Sequence, residues 1–399
     1  MGNKNTNKNS INNDNSLTTN NLKKKKDFKN SMIDCLGQVK YKNNYYASIA
    51  LSYSKIEVYD TNNLDLVAKY NLINFILPIY IHYLHDDTFI LTGTRILVFV
   101  IYKNKNFKNK DKKKSLSKLK YNIDLLQEIK NPFKSNSGLP VFRKSFIFDR
   151  NLNKKNDIYE KYDESQGIAF KEEELIINSD NGIQIFTRNE EKENNDIKDE
   201  DNFNLDNYIK NWENNPYIYK KNLSSFNNYD IEQVNYKYIA STVNNYVLLF
   251  SMEEYEIITK YEAKTSGKCF KSMFMLTDDI LIIGGEDTIT LISIKDFEIS
   301  LISTIKPNYK ITEICILPNS NIIIGIQTVI ELVEKEEIYQ YKYYSRVNKT
   351  TGKVEHNIYQ ISTELLNKYF RYISFECLNN SLTAIVDKRY MLLYDIKSQ

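Results

Sequence analysis

The chain has 399 residues, 42% of them hydrophobic, and a formal net charge of +3. This length exceeds what one compact core usually holds, so the sequence predicts either several domains or a fold that grows by repetition. The hydrophobic fraction excludes a chain that is disordered throughout, and the small net charge gives no indication of an obligatory polyanionic partner.

Residues 1–30 are almost entirely Asn, Lys, Ser and Thr. So few apolar groups cannot offset the entropy of ordering the backbone, and we expect a disordered arm. The segment from Met1 to Thr6 matches the M-G-x-x-x-[ST] pattern of N-myristoylation, in which Gly2 carries the acyl chain and Thr6 is the recognition residue. The arm is therefore a candidate lipidation signal.

One myristoyl chain binds a membrane only marginally, so stable attachment needs a second signal. The polybasic cluster of Lys23, Lys24, Lys25 and Lys26 lies on the same arm and is predicted to attract an anionic membrane surface. The alternative interpretation is a solvated Asn/Lys-rich tail that begins with Gly by chance.

From residue 31 the sequence changes to short apolar runs separated by polar turns. In 271–306, KSMFML, ILIIGG, TITLIS and EISLIST follow one another with TDD, ED and KDF between them, which predicts four antiparallel strands. Six further hexads resemble TITLIS (288–293), and they are KIEVYD (55–60), RILVFV (95–100), GIQIFT (182–187), YVLLFS (246–251), VIELVE (329–334) and YMLLYD (390–395).

The second residues of successive hexads are 40, 87, 64, 42, 41 and 61 residues apart. Three of these spacings match the roughly 40–45 residues of a four-stranded propeller blade, and the longer ones equal that length plus an insertion. The sixth repeat has an alternative register, in which 341–347 pairs with 353–362 across the turn KTTGK.

The chain resembles the WD-repeat family of β-propellers over residues 31–399, with Tyr59-Asp60 and Tyr394-Asp395 where the family places its Trp-Asp dipeptide. It lacks the Gly-His dipeptide, and the single tryptophan, Trp212, lies in an insertion. The resemblance implies an all-β, seven-bladed propeller of four-stranded antiparallel blades. We expect the blades near 31–72, 73–130, 131–223, 229–263, 268–306, 310–366 and 369–399.

The last predicted blade contains three strands, so it needs a fourth from elsewhere. Residues near 22–30 are the candidates, although LKKKKDFKN is a poor strand sequence, and an open ring is the alternative.

Two insertions carry opposite charge. Residues 103–120 hold nine lysines and one aspartate, a net charge of +8, whereas 188–213 hold nine acids and four bases, a net charge of −5. Both follow a third strand and precede a fourth, so a propeller would present both on one face, together with the arm. The plainer interpretation is that each is a solvated loop.

The sequence predicts no catalytic residue, metal site or cofactor. His82 and His85 have no Cys or acid placed in the sequence to complete a metal set and are interpreted as surface or rim residues, and no nucleophile or phosphate-binding motif occurs. The four cysteines lie outside any CxxC pair and are expected to be buried hydrophobes in a reducing compartment; they are Cys35, Cys269, Cys315 and Cys377.

We therefore expect a non-catalytic protein-protein interaction scaffold, cytoplasmic or peripheral at a membrane. No apolar segment follows Met1, and the longest apolar stretch, 72–84, is too short to span a bilayer, so neither a secretory signal nor a transmembrane helix is predicted. Two alternatives stay open. One is an RNA-associated factor that uses the Lys-rich loop, which the seven arginines and scarce aromatics in the Lys runs disfavour. The other is a propeller enzyme with an unrecognised channel site.

Overall fold

The computed structural model consists mainly of short strands. It describes residues 22–28, 31–42, 44–73, 77–85, 87–105, 119–130, 141–150, 152, 172–189, 204–226, 228–262, 270–285, 288–295, 298–306, 310–316, 321–330, 333–348, 351, 354–362, 374–379, 382–386 and 389–395. Within these ranges there are 28 strands and one helix, α1 (Leu205–Asn214).

The strands form seven four-stranded antiparallel units within the described ranges. The first three units are β2 (Ile33–Tyr41), β3 (Asn44–Leu51), β4 (Lys55–Asp60), β5 (Leu66–Asn71); β6 (Pro78–Tyr83), β7 (Thr88–Gly93), β8 (Ile96–Lys103), β9 (Tyr121–Ile129); and β10 (Phe142–Ile147), β11 (Glu172–Ser179), β12 (Gly182–Asn189), β13 (Ile218–Ser224). The next two are β14 (Asp230–Gln233), β15 (Tyr238–Val243), β16 (Tyr246–Ser251), β17 (Glu256–Glu262); and β18 (Phe270–Thr277), β19 (Ile280–Gly285), β20 (Ile289–Lys295), β21 (Glu298–Ile305). The last two are β22 (Lys310–Ile316), β23 (Asn321–Ile330), β24 (Val333–Val347), β25 (Val354–Ser362); and β26 (Ser374–Asn379), β27 (Leu382–Val386), β28 (Tyr390–Asp395) with β1 (Leu22–Asp27).

The first strands of the seven units close a ring. They contact one another in the order β2, β6, β10, β14, β18, β22, β26 and back to β2. The closest approach is a parallel bridge between Gly37 and Ile81, where a Cβ on residue 37 would lie 1.9 Å from the Ile81 carbonyl oxygen. The expected all-β propeller of four-stranded blades is thereby confirmed, and the topology has seven blades.

The N-terminal segment supplies the missing strand of blade seven. β1 pairs antiparallel with β28, from Leu22 opposite Tyr394 to Asp27 opposite Tyr390. The expectation of disorder for the whole of 1–30 is therefore wrong for residues 22–27, because β28 offers a complete row of backbone partners that side-chain composition does not reveal. Residues 1–21 lie outside the described part of the chain.

The hexads share a buried position, which is their fifth residue. Their fifth residues include Tyr59, Phe99, Phe186, Phe250 and Tyr394, all of which are fully buried between blades. Tyr and Phe thus fill, in five of the seven hexads, the place at which the WD-repeat pattern has Trp, while TITLIS has the buried Ile292 there. Burial of a large side chain at this position explains why these hexads are detectable.

The hexad VIELVE (329–334) is the exception. Its residues span the turn between β23 and β24, with Ile330 opposite Val333, so its assignment as a third strand is wrong. The third strand of blade six is β24, which pairs with β25 as in the alternative register.

Every outer strand contains a β-bulge. An extra residue interrupts the pairing of each fourth strand with its third strand, and these residues are Val67, Leu126, Lys220, Ile258, Ile302, Ile361 and, in β1, Lys23. In blade three a second extra residue, Leu223, lies near the end of β13. A bulge bends and twists an edge strand, which makes the outer edges poor templates for aggregation.

Candidate functional site

A charged cluster joins three neighbouring blades at the inner strands. The Lys144 ammonium lies 2.5 Å from Glu232 Oε2, 3.6 Å from Asp230 Oδ1 and 4.7 Å from the centre of the Phe274 ring. Burial lowers the pKa of Lys144, but the charges of Asp230 and Glu232 outweigh it and the pKa is raised. Lys144 therefore carries its charge and connects blades three, four and five.

Asp230 is also held by the backbone. Its Oδ2 accepts a hydrogen bond of 2.8 Å from the Met273 N–H, and its Oδ1 accepts one of 2.8 Å from the Ile231 N–H. Both carboxylate oxygens are thus engaged: Oδ2 joins blade four to blade five, and Oδ1 is held by the strand that carries Asp230. A general acid or base needs an oxygen that is free to exchange a proton with a substrate, so this arrangement favours a structural role.

His82 lies beside this cluster on β6. Its Nδ1 is buried without a hydrogen-bond partner, and its ring stacks on Tyr80 with 5.8 Å between centroids. Burial, followed by the nearby charge of Lys144, lowers the pKa of His82 to about 4. His82 is partly buried, so the structure does not contradict its interpretation as a rim residue, and the lowered pKa keeps the ring neutral at pH 7.

A second cluster joins blades two and three. His85, in the turn between β6 and β7, places Nε2 2.9 Å from Oε2 of Glu173, whose side chain is 3% exposed, and the Tyr217 hydroxyl donates to the other oxygen of Glu173. Burial lowers the pKa of His85, but the hydrogen bond and charge of Glu173 outweigh it and the pKa is raised. Burial raises the pKa of Glu173, yet the hydrogen bond and charge of His85 bring it below its ordinary value. Each group therefore favours the charged form of the other, and the contact is ionic when His85 is protonated.

Glu174 makes the equivalent connection on the other face of β11. Consecutive strand residues point to opposite faces, so Glu174 faces blade four. Its carboxylate accepts hydrogen bonds from Lys220 at 3.0 Å, from Arg150 and from the Tyr255 hydroxyl. Blade three is thus connected to blade two by Glu173 and to blade four by Glu174.

Helix α1 is fixed in the seam between blades two and three. Asn204 caps its first turn by accepting from the N–H groups of Asp206 and Asn207, and Trp212 is buried in the core between the blades. The Arg188 guanidinium lies 3.7 Å from the centre of the Trp212 ring, and the indole N–H donates to Gln127 at 3.3 Å. The single tryptophan therefore anchors part of the acidic insertion to the ring.

Three charged segments meet the ring at the same end, which we name the loop face: the end at which third strands finish and fourth strands begin. Lys103 pairs with Tyr121 there in blade two, and α1 lies between β12 and β13 of blade three. Leu22 pairs with Tyr394 at this end of blade seven, so β1 begins there. Most of each charged loop, 106–118 and 190–203, lies outside the described residues.

The lysines of β1 differ in their surroundings. Lys23, Lys24 and Lys25 are exposed, with Lys25 4.0 Å from the centre of the Tyr390 ring. Lys26 is partly buried, donates to the Leu64 carbonyl at 3.1 Å and lies 4.4 Å from the centre of the Tyr59 ring. Burial lowers its pKa. Gly2 and Thr6 lie outside the described part of the chain.

Two further findings concern the described ranges only. They contain no group of three or more His, Cys, Asp or Glu side chains placed to hold a metal ion. No helix in them is long and apolar enough to cross a bilayer.

Of the cysteines, Cys35 is buried and free, and burial raises the pKa of its thiol.

Sequence comparison gives no relative, since no family model and no curated protein matches the chain. One chain in the crystal structure of a mitotic checkpoint complex aligns over 97% of this chain and 94% of its own length, with a TM-score of 0.56 and 9% identity. The β-propeller domain of Cps50 (Swd1) from Myceliophteria thermophila aligns over 94% of this chain and 100% of its own, with a TM-score of 0.53 and 7% identity. At these identities the likeness shows the fold alone, and it confirms a divergent, WD-repeat-like propeller.

Proposed function

We propose that this propeller is a non-catalytic scaffold that binds other proteins at its loop face. The observation that carries the proposal is the convergence, at one end of a closed ring, of a loop of net charge +8 in blade two and an insertion of net charge −5 in the adjacent blade three. Opposite charges side by side favour a partner with a complementary arrangement, since electrostatic complementarity fixes orientation and accelerates association.

The frame beneath these segments supports the same function. The buried carboxylates of Glu173 and Glu174 join blade three to both its neighbours, through His85 and the Tyr255 hydroxyl, and Trp212 fixes α1 between blades two and three. A binding surface on a preorganised frame loses less conformational entropy on association than one that must be ordered. That one structural neighbour belongs to a mitotic checkpoint complex agrees with a propeller acting within an assembly.

The test uses the tagged full chain and two charge variants. One replaces the nine lysines of 103–120 by Gln, and the other replaces the acids of 190–201 by Asn and Gln. A matched control replaces the exposed Lys69, Lys130 and Glu262, which lie elsewhere on the ring. We expect at least one loop variant to lose about tenfold or more of the proteins that the wild-type chain captures, and the control to keep them. Equal capture by all four chains would contradict the proposal, and losses that nuclease treatment reproduces would indicate an RNA-mediated association.

We further propose that acylation of Gly2 and the lysines of β1 hold the scaffold at an anionic membrane surface. Each lysine near such a surface contributes about 1 kcal/mol. Lys23, Lys24 and Lys25 are exposed and available, whereas Lys26 is partly buried and already hydrogen-bonded to Leu64. The three exposed lysines would together strengthen binding by about 3 kcal/mol, or roughly 150-fold.

Flotation of the acylated chain with vesicles of neutral lipid, alone or mixed with phosphatidylserine, tests this anchor. We expect Gly2→Ala to abolish flotation and the triple change of Lys23, Lys24 and Lys25 to Gln to abolish the preference for anionic vesicles. Lys26→Gln serves as the matched control and should weaken binding little. A chain that floats equally well with Gly2→Ala would refute the anchor.

A further inference from the structure

The outer strand of blade seven departs from the pattern of the others. In five blades the extra residue of the bulge is apolar, and these residues are Val67, Leu126, Ile258, Ile302 and Ile361. In blade three it is Lys220, which is satisfied by the buried Glu174 carboxylate. In blade seven it is Lys23, which is exposed.

β1 is held by few side chains. Leu22 to Lys25 and Asp27 are exposed, and Lys26 alone in the strand is partly buried. Phe28, directly after the strand, is buried with its ring 5.7 Å from that of Tyr59, and its N–H donates to the Arg389 carbonyl at 2.8 Å. The attachment therefore rests on backbone pairing, Phe28 and Lys26, while four consecutive lysines repel one another along the edge.

The strand that β1 covers is an ordinary third strand. β28 reads YMLLYD, and its counterpart in blade four, β16, reads YVLLFS. β16 pairs with β17, EIITKYE, whose bulge residue is Ile258. The edge of β28 therefore suits a partner strand with an apolar residue at this position, whereas β1 places the charged Lys23 there.

We propose that the outer edge of β28 is a docking site for an extended segment of another protein, which adds as a strand after displacing β1. The incoming strand would carry an apolar residue at the position of Lys23, and main-chain hydrogen bonds to β28 would supply affinity as in other cases of β-strand addition. This gives the proposed scaffold a defined docking site and rests on that function. The peptide test below measures binding at the β28 edge alone, so a negative result would not affect the test of the loop face.

The probe is a fluorescent peptide of residues 256–264, EIITKYEAK, titrated against the full chain and followed by anisotropy. We expect Phe28→Ala, which loosens β1, to tighten binding about tenfold or more, and Lys23→Ile, which gives β1 the apolar residue of its counterparts, to weaken it about fivefold. The same peptide with Lys in place of its isoleucine at 258 should bind about tenfold more weakly to every variant.

Hydrogen exchange of each variant identifies where the chain has opened. We expect faster exchange in Phe28→Ala at β1 and β28 and unchanged exchange at β12 and β16. If Phe28→Ala fails to fold, Lys26→Gln loosens β1 more gently by removing the hydrogen bond to the Leu64 carbonyl. Peptide affinity that stays constant while β1 is released would overturn the proposal, and so would dimerisation of the released chain in preference to peptide binding.

Discussion

Replacing Glu174 by Gln should destabilise the ring more than its modest chemical change suggests. The side chain is 2% exposed, pairs with Arg150 and Lys220 of its own blade, and accepts a hydrogen bond from Tyr255 of blade four. Removing one partner of a buried ion pair costs about 3–5 kcal/mol, because the remaining charges stay desolvated. Arg150 and Lys220 are 35% and 27% exposed, so water reaches them and we expect a loss near 3 kcal/mol, the lower end of that range.

Calorimetry and urea denaturation measure this loss. For 399 residues unfolding together, an entropy of about 2.1 cal/mol/K per residue converts 3 kcal/mol into a fall in Tm of about 4 °C. Glu128→Gln is the matched control, since Glu128 is 43% exposed in its pair with Arg95 and such a pair contributes about 0–1 kcal/mol. Equal losses for the two variants would refute the assignment of Glu174 as a buried connection between blades.

Four further predictions address individual residues. The folded-state pKa of His82 is about 4, below its unfolded value near 6.5, so the unfolded chain binds a proton at higher pH than the folded chain does. The free energy of unfolding should therefore fall by up to about 3 kcal/mol as pH drops from 6.5 to 4. Urea denaturation of His82→Gln should not show this decrease. The pKa of His85 is raised, so its effect on stability depends on pH in the opposite direction. Its stabilisation is complete below pH 6.5 and is lost as pH rises through the folded-state pKa. The variant His85→Gln should not show this decrease in stability at higher pH. Trp212→Ala should cost about 3–5 kcal/mol and expose α1 to proteolysis, and an unchanged digestion pattern would contradict its role as the anchor of that helix. Gly37→Ala places a Cβ 1.9 Å from the Ile81 carbonyl oxygen, so blades one and two must separate, and hydrogen exchange should rise in β2 and β6 but not in β20.

The fold was predictable because its signal is local and repeated. Five of the seven hexads bury an aromatic ring at their fifth position, as Phe99 and Phe250 show, so strand periodicity sets most of the blades apart. The sixth hexad misled because Val329 and Ile330 end an unusually long second strand, in which apolar residues continue up to the turn. A hexad pattern cannot distinguish the end of one strand from the start of the next when both are apolar.

The buried connections between blades were not predictable from sequence. His85 and Glu173 are 88 positions apart, and Tyr255 and Glu174 are 81 positions apart. No local pattern encodes such pairs, since each depends on the angle between neighbouring blades. Trp212 differs from the rest of its polar, acidic insertion, and that difference can be seen in the sequence. A large apolar residue in such a segment indicates a point at which the segment packs against the core.

Stability is distributed unevenly around the ring. Blade three is joined to both neighbours by buried carboxylates, Glu173 and Glu174, each with at least two partners. Blade seven depends for its closure on a strand whose exposed lysines repel one another and whose main apolar contact is Phe28. Local opening follows the weakest set of contacts, so the ring should open at β1 while blades two to four remain closed. In the proposed scaffold, the loop face therefore keeps its arrangement while β1 is released from β28. A partner strand can then bind β28 without loss of the interaction at the loop face.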